Sequence, residues 1–244
     1  MILTPIQNPL PLKKASHYFC VNFNWQDLDE NFFSSQGISL PQDMKNDVPK
    51  KKAHFLGGRY CVHKALSIMR KEGLEISEID KDKQINAIPI QRNERGAPIW
   101  PEGVIGSITH TESFIGAVVE SSQNLRGVGI DTEKILGPQS VTMVESLVST
   151  DEEKKKSLSY DPFEYFTLIY SAKESIFKCL NPIIDKYIEF HDVTIEKVCF
   201  DSKIFTFKLL KDLNEEFKEG MIFEGSFNLD YNQEKIHTAF ELYH

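Results

Sequence analysis

An α+β fold with antiparallel pairing is the class this sequence predicts, on three observations. Two stretches, one running on from Lys52 and one opening at Pro162, carry apolar residues at helical spacing. Two apolar runs, Val104 to Thr109 and Phe114 to Val119, flank a tight connection. Strand-like runs at Val193 to Phe200, Ile204 to Leu210, Met221 to Leu229 and Ile236 to Leu242 then close the chain, joined by charged or Gly- and Asn-containing turns.

The stretch up to about Asp47 holds Pro9, Pro11 and Pro41 and little periodicity, so a partly irregular wrap is expected there. Lys45 to Lys52 forms a basic, exposed approach to the first strong helix. In that helix Phe55, Val62, Ala65, Leu66 and Met69 make the apolar face, and Lys52, Arg59, His63 and Arg70 line one flank of it. A flank of like charges is destabilising unless it is solvated or faces an anion. After the strand pair, which ends near Glu120, Ser121-Ser122-Gln123-Asn124 reads as a polar link. The chain is accordingly divided into residues 1–123 and 124–244.

The second half opens on Gly127-Val128-Gly129-Ile130-Asp131-Thr132-Glu133, a strand by its alternation, which sends Asp131 and Glu133 to the same face. Two acceptor-only carboxylates side by side repel unless a cation sits between them, and Mg2+ favours such oxygens. Taken alone, such a pair is far more often a solvated strand end. Helical segments follow near Val141 to Val148 and Asp151 to Ser157. In the long helix, Asp161 is the N-cap, Pro162 suits the first position, Glu164 completes a capping-box pattern, and Asn181-Pro182 is the expected stop. Phe163, Phe166, Ile169, Tyr170, Ile176, Phe177 and Leu180 fill one arc of this helix, with Lys173 near its middle. An ammonium there needs a partner or must snorkel to water. Glu174 and Lys178 lie at the edge of the same arc, spaced as neighbours on the helix surface.

Composition sets limits. The 244 residues, 41% of them hydrophobic and 26% charged, suffice for a substantial core in one large or two small domains. A net charge of −8 argues against a general nucleic-acid binder, which must neutralise many phosphates. There is no long apolar run and no signal-peptide pattern, so a cytoplasmic protein with no membrane partner is expected. Cys20, Cys61, Cys179 and Cys199 lack Cys-x-x-Cys spacing and sit in apolar or helical surroundings, so free thiols are expected and zinc is not indicated.

The Gly-Ile-Asp-x-Glu strand followed by Tyr170-Ser171-Ala172-Lys173-Glu174-Ser175-Ile176-Phe177-Lys178 resembles the 4'-phosphopantetheinyl transferases, specifically the larger surfactin-type enzymes and among these the enterobactin synthase component D type. Phe55 to Leu66 looks like the family's glycine-arginine helix. Gly96 to His110 looks like its proline-tryptophan turn and Ser-x-Thr-His strand end. The blocks span about half the chain in the family's order, which is more specific than any one of them. Tyr170 stands where many relatives carry Trp or Phe, His63 where the component D type often has Arg, and Ala97 where a basic residue is frequent.

The resemblance implies two similar α/β halves related by a pseudo-two-fold axis, with the site in the cleft between them. It places coenzyme A nucleotide-binding elements in the first half and metal-binding carboxylates and phosphate-binding lysines in the second. The implied reaction transfers the 4'-phosphopantetheine arm of coenzyme A to a serine of an acyl, peptidyl or aryl carrier protein, releasing adenosine 3',5'-bisphosphate. Asp131, Glu133 and Glu174 would ligate Mg2+, directly or through water, and Lys173 and Lys178 would sit on phosphate oxygens. Glu174, or Glu133 through a water, would be the base for the incoming serine. Arg59 is the first choice for the 3'-phosphate, with Lys52, His63, Arg95, Thr109 and His110 as further coenzyme A contacts. The carrier would belong to siderophore, non-ribosomal peptide or polyketide synthesis, and the enzyme would act as a monomer. Carrier domains of this class are acidic, so recognition by an acidic enzyme must be local. Lys154-Lys155-Lys156 and the residues from Asn181 to Tyr187 are candidate contacts, although a solvated charge run is the better reading of the lysines. Two other classes fit the residues alone: a Mg2+-dependent phosphodiester hydrolase, and a non-catalytic binder of coenzyme A or carrier proteins.

Overall fold

Strand pairing sorts the chain into two antiparallel sheets in the computed structural model, which describes residues 3–73, 88–184 and 186–244. They belong to two compact units. One comprises Met1–Asn8, Lys14–Arg126 and Tyr243–His244, the other Pro9–Lys13 and Gly127–Leu242.

In the first unit the sheet order is β1 (Thr4–Pro5), β2 (His17–Asn22), β4 (Phe114–Ser121), β3 (Val104–His110). The N-terminal stretch is therefore not merely an irregular wrap. β2 pairs with β4 along its whole length, from His17 opposite Val119 to Asn22 opposite Phe114. Its Tyr18-Phe19-Cys20-Val21 run does not alternate because the strand lies inside the sheet and packs on both faces, which hides it from a period-two search. A short helix, α1 (Glu30–Ser35), is capped by the Asp29 carboxylate, which accepts from the Asn31 and Phe32 amides.

Helix α2 (Pro49–Lys71) packs on β2 and β4. Its two glycines face the sheet: a Cβ on Gly57 would lie 2.4 Å from Ile115 Cδ1, and one on Gly58 would lie 3.1 Å from Ile108 Cγ2. Without those side chains the helix settles against the strands, with Cys61, Val62 and Leu66 in the core. Arg59 follows directly after the pair.

The second unit has the order β5 (Gly127–Lys134), β9 (Lys235–Leu242), β8 (Ile222–Asp230), β7 (Ile204–Leu209), β6 (Val193–Cys199). α3 (Pro138–Leu147) and α4 (Asp151–Ser157) precede the long helix α5 (Pro162–Ile184), which packs on β5 and β9. Asp161 caps α5 by accepting from the Phe163 and Glu164 amides at 2.9 and 3.0 Å. The expected stop at Asn181-Pro182 does not hold. Pro182 lies within the last turn and the helix runs to Ile184, which is buried in the unit's core, so packing outweighs one forfeited backbone bond.

Residues Gly127, Gly129 and Asp131 share the face of β5 that meets α5. A Cβ on Gly129 would sit 1.9 Å from the Ser175 carbonyl oxygen, and one on Gly127 would sit 2.9 Å from Cys179 Sγ. The alternating glycines let α5 ride on the strand backbone, and the next residue in that alternation is Asp131.

On the opposite face of β9, His237 is 1% exposed. Its Nδ1 lies 3.0 Å from Thr132 Oγ1, and burial lowers its pKa from 6.5 to about 4. Above pH 6.5 the imidazole is neutral folded or unfolded; below it the unfolded chain takes up the proton first, so stability falls until about pH 4. The loss should reach about 3 kcal/mol. Urea midpoints measured from pH 7 down to pH 4 should fall less steeply for His237→Asn than for the parent chain; equal slopes would contradict this.

Candidate active site

Side chains from β5 and α5 build a charged cluster at one end of the strand. Lys178 Nζ donates to Asp131 Oδ1 at 2.6 Å and to the Ile130 carbonyl at 3.2 Å. Asp131 is 4% exposed, and its Oδ2 is buried with no hydrogen-bond partner among the described residues. Burial, reinforced by the Asp131 charge and opposed by Lys178, pushes the Glu133 carboxyl up to about 8. Burial also raises Glu174, with Lys178 opposing and Asp131 reinforcing. Burial alone would depress the Lys178 ammonium, yet Asp131, Glu174 and Glu133 carry it above its ordinary value. The Tyr170 phenol is raised by burial and by the same three carboxylates.

One ammonium thus stands among three carboxyl groups, two of which are held above the ordinary carboxyl range. Among the described residues no three His, Cys, Asp or Glu side chains are gathered closely enough to hold a metal ion as they stand. The donor chemistry nevertheless suits a hard divalent cation: oxygen ligands only, carboxyl groups that repel one another, and an orphaned buried oxygen on Asp131. Asp131, Glu133 and Glu174 are the side chains able to hold it, and Lys178 occupies the cationic position beside Asp131.

Lys173 is set apart from this cluster. Its side chain is 0% exposed, and Nζ donates to the Val148 carbonyl at 2.8 Å, Glu153 Oε2 at 2.9 Å and the Phe190 carbonyl at 2.8 Å. An ammonium has three donors and all are used, so none is left for a phosphate. Glu153 in turn accepts from the Thr150 amide at 2.7 Å and the Ile195 amide at 2.6 Å. The expected phosphate contact is corrected accordingly: the cation on the apolar arc is compensated by a carboxylate from α4, an internal tie joining α5 to the segments around it.

In the first unit a cavity of about 780 Å³ is lined by Arg59, His63, Arg92 and Arg95, with Asp43 and Glu94 as its acidic members. Arg59 is 8% exposed; its guanidinium lies over the Phe55 ring at 4.1 Å, and Nε donates to the Ile90 carbonyl at 3.2 Å. Burial and the nearby Arg92 charge lower its pKa to about 10, which still leaves it cationic at neutral pH. Arg92 pairs with Asp43. The Asn93 side chain accepts from the Arg95 and Ala97 amides at 3.0 Å each, shaping the turn that carries Arg95. His63 Nε2 lies 2.9 Å from the Ile88 carbonyl, and burial keeps the ring below its ordinary pKa. With three guanidinium groups against two carboxylates, the wall favours an anion.

The sequence reading missed Arg92. Its signal was present as the second basic residue flanking the Asn93 to Gly96 turn. Lys52 is not among the described lining residues; its Nζ lies 3.6 Å from Glu30. At the end of β3, Thr109 is 1% exposed with Oγ1 lacking a hydrogen-bond partner among the described residues. The exposed His110 stacks on His54 with ring centroids 4.3 Å apart. Of the lysine run, Lys156 donates to the Glu196 carbonyl at 2.7 Å, Lys154 is 3.8 Å from Asp151, and Lys155 is exposed. None of the four cysteines is in a disulfide; Cys20, Cys61 and Cys179 are buried and Cys199 half-buried. No described helix is long and apolar enough to cross a membrane.

Residues 40–120 match the 4'-phosphopantetheinyl transferase N-terminal domain, and residues 127–225 match the 4'-phosphopantetheinyl transferase superfamily. The chain is 28% identical to 4'-phosphopantetheinyl transferase Npt of Nocardia iowensis over 66% of its own length and 71% of the relative's. It is 33% identical to 4'-phosphopantetheinyl transferase Svp of Streptomyces mobaraensis, over 67% of its length and 61% of the relative's. With enterobactin synthase component D of Salmonella typhi the identity is 33%, over 70% of this chain and 65% of the relative. In the last two cases the chain spans slightly less than two thirds of the relative's length. These two consecutive matches, which together span most of the chain, establish that it belongs to the 4'-phosphopantetheinyl transferase superfamily.

Proposed function

We propose that this chain transfers the 4'-phosphopantetheine arm of coenzyme A to a serine hydroxyl of an apo carrier protein, with Mg2+ as cofactor and adenosine 3',5'-bisphosphate as the second product. The observation that carries the reading is the shared electrostatic neighbourhood of Asp131, Glu133, Glu174 and Lys178. A diphosphate substrate brings more negative charge to a site already rich in it, so a cation belongs between them. Bound Mg2+, held by Asp131, Glu133 and Glu174, would neutralise the diphosphate and polarise its oxygens.

The remaining work falls to the chain's own residues. Transfer forms a bond from the serine oxygen to the pantetheine-bearing phosphorus and breaks the bond from that phosphorus to the bridging oxygen, which leaves with the adenosine bisphosphate. Glu174, or Glu133 through a water, takes the serine proton. Lys178, 31% exposed in its side chain, offers a cation to the phosphate oxygens. Arg59, with Arg92, Arg95 and His63 on the same cavity wall, holds the 3'-phosphate, and Thr109 and His110 contact coenzyme A at the end of β3. On this reading the first half serves the nucleotide and the second half the reaction. The carrier belongs to siderophore or related peptide or polyketide synthesis, the enzyme is a cytoplasmic monomer, and docking to an acidic carrier is local.

Incubation with coenzyme A, Mg2+ and a panel of apo carriers tests the proposal. The expected result is a mass gain on one carrier serine. Nucleotide release without that gain would mean hydrolysis, and binding without turnover would mean a non-catalytic module. Arg59→Ala is expected to weaken coenzyme A binding by about 10-fold or more while leaving kcat nearly unchanged, as for a contact made equally in ground and transition states. Calorimetric titration showing unchanged affinity would move the 3'-phosphate elsewhere.

A further inference from the structure

We infer that His54 is a positioning residue for coenzyme A binding, a flat support that fixes the His110 ring at the end of β3. The inference rests on the reading of His110 as a coenzyme A contact. His54 lies on α2 one turn before Gly57 and Gly58, on the side of the helix that meets the sheet and away from its basic flank. Its ring stacks on His110 at 4.3 Å with an interplanar angle of 23° and is backed by Phe23 at 5.5 Å. Phe23, His54 and His110 thus form a three-ring column that runs from beneath β2's end to an exposed side chain.

Two further features separate this contact from incidental packing. The His54 ring hydrogen-bonds the Thr111 backbone, next to His110, which holds it in place, while its Nε2 is buried with no hydrogen-bond partner among the described residues. Burial and the Lys50 charge also hold the ring below its ordinary pKa, while the Thr111 backbone and Glu112 oppose them only in part. A neutral ring can lie flat against its neighbour without the repulsion that two charged rings would set up. Holding the His110 ring in one orientation spares rotamer entropy on binding.

The test uses calorimetric titration of the full chain with coenzyme A, alongside steady-state transfer. His54→Gln, which removes the ring, is expected to raise Kd and KM for coenzyme A about 3- to 10-fold with kcat nearly unchanged. His54→Phe, which keeps a ring, is expected to restore both to within about 2-fold. In the double variant His54→Gln/His110→Ala, binding should be no weaker than in His110→Ala alone, because His54 acts through His110. Additive losses, or a Phe variant as weak as the Gln variant, would overturn the inference; so would an unchanged Kd in His54→Gln. If the parent chain binds no coenzyme A, the proposed function fails with it. If the parent chain binds and transfers normally while the His54 variants match it, this inference alone fails.

Discussion

Asp131→Asn is expected to reduce transfer by at least about 10³-fold while the protein stays folded. The substitution keeps the side chain's volume but removes the charge that Lys178 meets at 2.6 Å and the oxygen left without a partner. Glu174→Gln should behave alike. Neither side chain belongs to the apolar core, and removing one of three neighbouring carboxylates relieves the repulsion that raises Glu133, so unfolding temperatures should stay close to the parent value. Initial rates with saturating coenzyme A and Mg2+, measured beside a thermal melt, decide the matter. Full activity in either variant would remove the residue from the mechanism, and a collapsed melt would make its role structural.

The second large effect concerns Lys173. Lys173→Met is expected to destabilise the fold by about 3–5 kcal/mol, because it leaves the Glu153 carboxylate buried without its cation. Glu153 is itself 0% exposed and also accepts two backbone amides, so it cannot turn to water without breaking the turn before α4 and the start of β6. Adding Glu153→Leu should recover part of the loss by removing the stranded charge. Denaturant unfolding of the parent, single and double variants checks this. A stable Lys173→Met protein with weakened coenzyme A affinity would restore the phosphate role that the sequence pattern implied.

That contrast shows where sequence reasoning reached and where it stopped. The anomaly at Lys173 was legible, since a cation on an apolar arc needs a partner. Its partner was not, because Glu153 arrives from a separate helix and helical periodicity is silent about which segments meet. Asp131, Glu133, Glu174 and Lys178 were legible because each lies in a short motif whose local geometry fixes its direction, a strand face in one case and a helix edge in the other. Gly127 and Gly129 were read only as spacers in that strand. The 1.9 Å approach of Ser175 to a Cβ on Gly129 shows that they set the contact on which the cluster depends. β2 escaped notice because a strand packed on both faces loses its alternation, and Arg92 because a turn-flanking residue has no periodicity to give it away.

The proposal turns on carboxylates of β5 and α5 serving one divalent cation. Titration with Mn2+ as a spectroscopic substitute for Mg2+, in the presence of coenzyme A and followed by electron paramagnetic resonance, tests this directly. The account predicts one site per chain in the parent protein, lost or weakened at least about 10-fold in both Asp131→Asn and Glu174→Gln. Equal Mn2+ affinity and stoichiometry in the parent and in both variants would contradict it.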